Sequence, residues 1–203
     1  DRGFIYEYDR QAAEKELELG GFVKDGGVYK WHNPSTGLNE SLPNMKFWIR
    51  IHDPNRRFAG EHLYNEMVTI GIPGAAGSDQ PGLEKIITER STCFTNVRVL
   101  FKYNIYTGGW SMSADVDFIH DFYHSSMGQY SWCTNYAGFK NAEFDAIAEQ
   151  VKYPPSLADV KPKAIEAQWI KAKYMPVVEL WAAKAVKAYR KGWSEVVNFA
   201  GFG

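Results

Sequence analysis

The segment that most constrains the fold is the run MKFWIRIH at positions 45–52, which is mostly apolar and rich in β-prone side chains. Such a run predicts a buried strand, and the turn-forming residues at 53–55 close it. A helical pattern follows, formed by four apolar residues and ended by a glycine: Ala59, Leu63, Met67, Ile70 and Gly71. A strand, a turn and a helix in this order predict an α/β fold with a mainly parallel sheet flanked by helices.

Further elements are predicted on the N-terminal side and in the middle of the chain. Asp9 is a suitable N-cap for a short helix that runs to Leu19. The stretch 26–44 is rich in Gly, Asn, Ser and Pro, which predicts turns with one short hairpin. A helical region is expected over 83–101, and the segment 103–110 predicts a second strand that runs into a glycine turn.

The C-terminal part is predicted to be mainly helical. One helix is indicated by apolar residues at i, i+3, i+4 and i+7, namely Phe144, Ile147, Ala148 and Val151. Ile165, Trp169 and Ala172 indicate a second helix, which should stop before Pro176. Closing strands are expected at 176–181 and 185–190. The length of 203 residues suits one domain.

Composition excludes few functions but disfavours two kinds of partner. The net charge is −1 with acids and bases interspersed, so the chain offers no basic surface for nucleic acid or anionic lipid. Aromatic residues make up 15% of the chain, a share that suits either a core or a ligand-binding surface. Cys93 and Cys133 match no metal-ligand spacing, and a disulfide between them stays open.

The sequence HDFYH places His120 and His124 four residues apart, as in a metalloprotease helix. If Asp115 caps a helix over 116–126, both imidazoles and Asp121 share one helix face. A hydrolytic zinc site needs Glu as the base between the histidines and a third ligand, and neither is apparent in the sequence. We therefore expect a solvated polar face, with a metal-dependent hydrolase using His120, His124 and an acid as the alternative.

Other catalytic arrangements find no support in the sequence. Neither cysteine has a histidine at a recognisable catalytic spacing, and no G-x-S-x-G elbow or phosphate-binding glycine loop is present. The sequence therefore predicts a protein without catalytic activity and without a cofactor.

Several segments together resemble one family, the type 5 extracellular solute-binding proteins of ABC importers, which include dipeptide and oligopeptide receptors. The segment 134–150, TNYAGFKNAEFDAIAEQ, is similar to the family pattern N-x-x-x-Y/F-x-N-x-E-F-D-x-L. The other similar segments keep the family's order along the chain and lie at 8–22, 56–72, 103–110 and 174–192. In segment 8–22, Arg10 replaces a proline of the family pattern.

The resemblance implies a lobe of the type II periplasmic-binding-protein fold. Family members are longer and close two lobes over a ligand, so residues 1–203 are expected to form one ligand-binding lobe, with the partner lobe absent from this chain. The implied protein captures a peptide, an oligosaccharide or a metal complex and delivers it to ABC permease subunits. It is expected to be a monomer, periplasmic or extracellular, and membrane-anchored in its full-length form.

The resemblance also implies where a ligand would bind. In peptide-binding members, an Asp three positions after the cleft Trp pairs with the ligand's amino terminus; Trp110 matches that Trp, and Ser113 stands at the Asp position. Asp115 and Asp117 follow, in a segment similar to the family's D-P-D helix start. Either a short deletion moves Asp115 into the amine-binding role, or the lobe has no amine clamp and the ligand is not a free peptide. We favour the second interpretation.

The expected ligand-binding residues combine an indole, small side chains and one carboxylate: Gly109, Trp110, Ser111, Ser113, Asp115 and Trp132. Stacking and neutral hydrogen bonds from such a set suit sugars or other uncharged polar solutes. Other roles remain open for three of these residues. Trp110 could belong to the core, Asp115 could cap a helix, and Trp132 could cover the core.

Overall fold

The computed structural model describes residues 7–110, 115–128 and 130–180. The chain divides into two compact units, a first unit at Ile5–Gly108 and a second at Gly109–Gly203 together with Asp1–Phe4. Each unit is built around its own cluster of buried apolar side chains. The mixed helices and strands, with a parallel sheet, confirm the predicted α/β class.

The first unit opens with helix α1, Arg10–Leu19, which begins where the sequence predicts. The carboxylate of Asp9 accepts hydrogen bonds from the backbone N–H groups of Gln11 and Ala12, which would otherwise lack partners in the first turn. Gly20 closes the helix by donating its N–H to the carbonyl of Glu16.

A small antiparallel sheet follows, with strands β1 Phe22–Asp25, β2 Val28–Asn33 and β3 Leu38–Glu40 in the order β1-β2-β3. The β1–β2 hairpin turns at Gly26 and Gly27, whose φ values of 61° and 86° are those of a tight primed turn. The sequence predicts turns and one hairpin here. The third strand escapes prediction because three exposed residues carry no alternating pattern.

The parallel sheet contains β4 Asn44–Arg50, β5 Gly82–Thr88 and β6 Ile105–Tyr106 in the order β5-β4-β6. Helix α2, Pro54–Ile70, connects β4 to β5 and ends at Gly71 in a left-handed conformation with φ of 114°. The predicted strand, turn and helix unit is therefore confirmed.

The predicted helical region 83–101 is wrong in its first part, because β5 occupies it up to Thr88. Helix α3, Arg90–Phe94, and a π-helical turn at Thr95–Val99 occupy most of the remainder. The apolar residues of Leu-Glu-Lys-Ile-Ile are spaced in a way that fits a helix and a buried strand equally well. This ambiguity is usual for short apolar runs. Pairing with β4 along its whole length decides in favour of a strand.

The core of the first unit lies around the parallel sheet and consists of Tyr29, Leu42, Phe47, Ile49, Ile72 and Leu83. Gly60 is the buried residue of α2 and faces this sheet. A Cβ atom at Gly60 would lie 2.8 Å from side-chain atoms of Ile49 and of Thr107. The missing side chain therefore allows α2 to approach β4 closely.

An ion pair joins the start of α1 to α2 and makes the stability of the folded state depend on pH. The carboxylate of Glu66 accepts hydrogen bonds of 2.7 Å from the Arg10 guanidinium and from the Tyr8 hydroxyl. These hydrogen bonds, with Arg10 contributing most, lower the pKa of Glu66 to about 2. The pKa of Glu66 in the folded state lies below its ordinary value. The ion pair therefore stabilises the fold at pH values above the ordinary pKa, and this stabilisation is lost as the pH falls towards 2.

We therefore expect Glu66→Gln to be less stable than the wild type at neutral pH, with a difference that shrinks as the pH falls from about 5 towards 2. Urea denaturation over this pH range measures it. Glu61→Gln on the same helix is the matched control, because the Glu61 carboxylate lies at a longer distance, 3.5 Å, from Nε of Arg57. A difference between wild type and Glu66→Gln that is independent of pH would contradict the assignment.

The second unit is helical in its described part. It contains α4 Phe118–Tyr123, α5 Ala142–Lys152 and α6 Leu157–Tyr174, with a short 3-10 turn at Ser125–Met127. Helix α5 is capped by the Asn141 side chain. Its predicted apolar face is confirmed, because Phe144, Ile147, Ala148 and Val151 are all buried.

Helix α6 exists as predicted and ends before Pro176, but its buried face differs from the predicted one. Ala164, Ala167 and Ile170 face the core, whereas Ile165 is 45% exposed. Small residues on the buried face allow α5 and α6 to pack closely. Close packing therefore decides which face of α6 is buried, although the larger apolar side chains predicted a different face.

The structure does not support the predicted closing strands in the part of them that it describes. Residues 176–180 form no strand, and 181 and 185–190 lie outside the described residues. Both cysteines are buried, Cys93 in the first unit and Cys133 in the second, and the disulfide between them that the sequence left open is not formed. Among the described residues, no helix is long and apolar enough to cross a membrane.

Candidate functional site

The glycine turn and Trp110 follow strand β6, as the sequence predicts. Gly108 and Gly109 are exposed, and the indole of Trp110 is half-buried. It stacks on the ring of Phe122 at a centroid distance of 4.3 Å and on that of Tyr136 at 4.9 Å. Trp110 therefore belongs to an aromatic cluster, here called the Trp110 cluster, that leaves part of the indole accessible.

Asp115 acts as a local cap in the turn that precedes α4. Its carboxylate accepts a hydrogen bond of 3.1 Å from the backbone N–H of Asp117. Burial, followed by the nearby charges of Asp115 and Asp121, raises the pKa of Asp117. The predicted helix over 116–126 is too long, because α4 begins at Phe118 and ends at Tyr123. Ser111 and Ser113 lie outside the described residues.

Trp132 lies in an exposed loop with an unusual backbone. Its φ of 67° is in the left-handed region, which a bulky residue rarely adopts, and 56% of its surface is exposed. Tyr130 in the same loop is also exposed. An exposed indole on a strained backbone is more typical of a functional surface than of packing.

The residues after Trp132 hold this loop in place. Cys133 is fully buried, and the hydroxyl of Thr134 donates to the carbonyl of Asp121. The buried amide of Asn135 donates to three backbone carbonyls and accepts from the backbone N–H of Phe139 at 3.1 Å. Asn135 thus has a structural role, because its hydrogen bonds tie the end of the aromatic loop to the end of α4 and the residue that follows it.

Tyr136 connects the loop of Trp132 to the Trp110 cluster. The structure therefore brings the two predicted tryptophans into one region of the second unit through a residue that the sequence did not indicate. Phe122 was also missed as a partner of Trp110. No local pattern marks either ring, since both meet Trp110 from distant positions.

The expectation of a solvated face for the HDFYH segment is wrong. His120 is buried, with 7% of its side chain exposed, and His124 is nearly buried. Helix α5 covers both: each His Nε2 lies 3.5 Å from a carboxylate oxygen of Glu149. The physical reason is that α4 packs against α5 with this face as well as with its apolar one.

Glu149 was not identified from the sequence as a partner of the histidines. The only available signal was its place on α5 four residues after Asp145, whose carboxylate accepts from the backbone N–H of Ser125 at 3.0 Å. The Asp145 contact fixes the end of α4 beside α5, and Glu149 follows one turn later.

Comparison with known proteins identifies the fold. No protein-family model matches the sequence, and no curated protein matches it. Solved structures do match: NikZ from Campylobacter jejuni in complex with Ni(L-His) aligns at a TM-score of 0.65 and 20% identity over 84% of this chain and 31% of its own. The oligopeptide-binding protein AppA from Bacillus subtilis, in complex with a nonapeptide, aligns at 0.66 and 20% over the same shares.

A third similar structure is a mannohexaose-bound periplasmic oligopeptide-binding protein from Thermotoga maritima, with a TM-score of 0.66 and 17% identity over 86% of this chain and 31% of its own. These neighbours are family 5 periplasmic binding proteins. The predicted resemblance is thus confirmed at the level of the fold, which is the periplasmic-binding-protein type II fold. The chain spans about a third of the length of these neighbours.

Proposed function

We propose that the chain is part of a solute-binding protein of an ABC importer and captures a polar solute without chemically changing it. The observation that carries the proposal is the fold match, which extends over 84–86% of the chain. The exposed aromatic residues of the second unit support it, because stacking surfaces suit the capture of polar solutes.

In this proposal both units belong to one lobe, and a second lobe is supplied by sequence outside this chain. Such receptors work by closure, because a ligand that contacts both lobes only in the closed state shifts a hinge equilibrium towards that state. The proposed setting is the periplasm or the cell exterior, with membrane anchoring in the full-length protein. Permease subunits that recognise the closed state are the proposed partners of a monomeric receptor.

The proposed solute is uncharged and polar, such as an oligosaccharide, in preference to a free peptide or a metal complex. The neighbours described above were solved with a nickel complex, a nonapeptide and mannohexaose, so the fold accommodates all three classes. Asp115 supports the uncharged solute, because its carboxylate already caps the turn before α4. Trp110 and Trp132 would stack on the solute, while Gly109, Ser111 and Ser113 would supply close approach and neutral hydrogen bonds.

The alternative of a metal-dependent hydrolase is not favoured by the contacts of Asp121. This acid stands where a catalytic base would be needed between His120 and His124. Its carboxylate instead accepts a hydrogen bond of 2.6 Å from the Lys152 ammonium and lies 3.1 Å from Nδ1 of His120. These two contacts engage the Asp121 carboxylate with protein groups and direct it away from the role of a base for a metal-bound water.

The proposal is tested by following the seven Trp indole N–H signals of the 203-residue chain in NMR spectra during titration with mannohexaose, a nonapeptide and Ni(L-His). We expect mannohexaose to shift the signals of Trp110 and Trp132 at millimolar concentrations. Binding should be weak, because the contacts of the partner lobe are missing. Trp132→Ala should weaken it by about three- to tenfold, which is the usual worth of one stacking contact.

The matched control is Trp31→Ala, since Trp31 is also partly exposed but lies on β2 of the first unit. This variant should bind mannohexaose like the wild type. Specific shifts with the nonapeptide alone would keep the receptor function but overturn the uncharged solute. The absence of a specific Trp110 or Trp132 shift with all three probes would overturn the proposed function.

A further inference from the structure

We propose that His120, His124 and Glu149 form a binding site for a divalent transition-metal ion of the Zn²⁺ class, which ties the end of α4 to α5. The three residues offer donor atoms that all lie within 4.8 Å of one another. All three belong to the second unit: His120 lies on α4, His124 directly follows α4, and Glu149 lies on α5. The site does not depend on the proposed solute-binding function.

The distances between the donor atoms suit a shared metal ion better than shared protons. Nε2 of His120 and Nε2 of His124 each lie 3.5 Å from Oε1 of Glu149. Hydrogen-bonded N and O atoms are usually about 2.7–3.2 Å apart. Ligands at about 2.0–2.1 Å from a tetrahedral zinc are separated by about 3.4 Å, which follows from the tetrahedral angle. The two measured distances are close to that separation.

Nδ1 of His120 is engaged away from the site. It lies 3.1 Å from the carboxylate of Asp121 and 3.4 Å from the Lys152 ammonium, and Lys152 holds that carboxylate with a hydrogen bond of 2.6 Å. When Nδ1 carries the proton and donates it to Asp121, the Nε2 lone pair is left to bind the ion, as in carboxylate–histidine–zinc triads.

Metal binding by His124 changes both hydrogen bonds of its Nδ1. This atom accepts from the backbone N–H of Ser126 at 3.1 Å and lies 2.7 Å from the Ser126 hydroxyl. When Nε2 binds the metal, Nδ1 carries the proton, donates it to the hydroxyl oxygen and gives up the bond from the backbone N–H. The imidazoles of His120 and His124 are already stacked at a centroid distance of 4.5 Å, so little side-chain motion is needed to bring both to one ion.

The surrounding charges favour a dication. Glu149, Asp121 and Asp145 supply three carboxylates and Lys152 supplies one ammonium, which gives a net charge of −2 with neutral imidazoles. A ligand set of two imidazoles and one carboxylate is typical of zinc. Asp145 is fixed by Ser125 at 4.0 Å from Nε2 of His124 and is therefore a neighbour of the site rather than a fourth ligand.

The experiment is a ZnCl₂ titration of the EDTA-treated and dialysed 203-residue chain by isothermal calorimetry, with the Tm measured in parallel. We expect one zinc ion per chain and a Tm that rises with zinc concentration, because the ion binds the folded state. Glu149→Gln and His124→Asn should each weaken binding by about tenfold or more. Glu149 is 49% exposed, so its replacement by Gln should preserve the fold even if a change at buried His120 does not.

His52→Asn is the matched control, because His52 pairs with Glu89 on the exposed surface of the first unit. It should bind zinc like the wild type. When Co²⁺ replaces zinc, the visible absorption spectrum should be that of cobalt with nitrogen and oxygen ligands. It should lack the sulfur-to-cobalt charge-transfer bands that cysteine ligands produce. The proposal is overturned if the wild type binds no zinc below millimolar concentrations, if Glu149→Gln and His124→Asn bind like the wild type, or if His52→Asn removes the binding.

Discussion

Replacing Phe144 with alanine is expected to lower the free energy of unfolding of the second unit by about 3–5 kcal/mol. The side chain is fully buried at the centre of the helical core. Its ring contacts those of Tyr123 and Phe139 edge-on, at centroid distances of 6.2 and 5.2 Å. The substitution removes these contacts and leaves a cavity that rigid neighbours cannot fill. Urea denaturation followed by circular dichroism measures the loss.

The matched control is Ile165→Ala, which also removes a large apolar side chain from a helix of this unit. Ile165 is largely exposed, so its replacement should change the stability by no more than about 0.5 kcal/mol. The pair of variants also tests the face of α6. If Ile165→Ala were as destabilising as Phe144→Ala, the buried face inferred from the sequence would be right and the observed one wrong.

Gly82→Ala is expected to destabilise the first unit by about 3 kcal/mol or more, because it combines backbone strain with a collision. Gly82 has φ of 106°, where a side chain is strained. A Cβ atom there would lie 2.7 Å from the carbonyl oxygen of Pro73 and 3.0 Å from backbone atoms of Gly74 and Ala75. Backbone cannot yield as a flexible side chain does, so the start of β5 must shift away from the segment 73–75.

Gly27→Ala separates the two contributions. Gly27 also has a positive φ, 86°, but a Cβ atom there would meet nothing within 4 Å. Its replacement should therefore cost only the backbone strain, about 1–2 kcal/mol. Chemical denaturation of both variants gives the difference. If both variants lost the same free energy of unfolding, the segment at Pro73 would not pack against the start of β5.

The sequence predicts best the elements whose signals are local. β4 and α2 were predictable because an apolar run, a turn and a helical period follow one another, with Gly71 at the end. Asp9 was predictable because capping involves only its neighbours. β5 was not, since its apolar residues fit two periods and only pairing with β4 decides between them.

In the candidate site, too, features with a local sequence signal were predictable and contacts between distant residues were not. Trp110 and its glycine turn could be found because they are consecutive in the sequence. The contacts of Trp110 with Tyr136, and of the two histidines with Glu149, could not be found, since they join residues 25 or more positions apart. Such convergence depends on helix packing, which a single sequence does not encode in any short pattern.

The strand order β5-β4-β6 places a reversal of chain direction in the first unit. The chain adds β5 on one side of β4 and then crosses over to add β6 on the other. In open parallel sheets, such a reversal separates the connections at the carboxyl ends of two adjacent strands, which is where such sheets generally bind ligands. In this sheet the reversal falls between β4 and β6, and Gly108 lies two residues beyond β6.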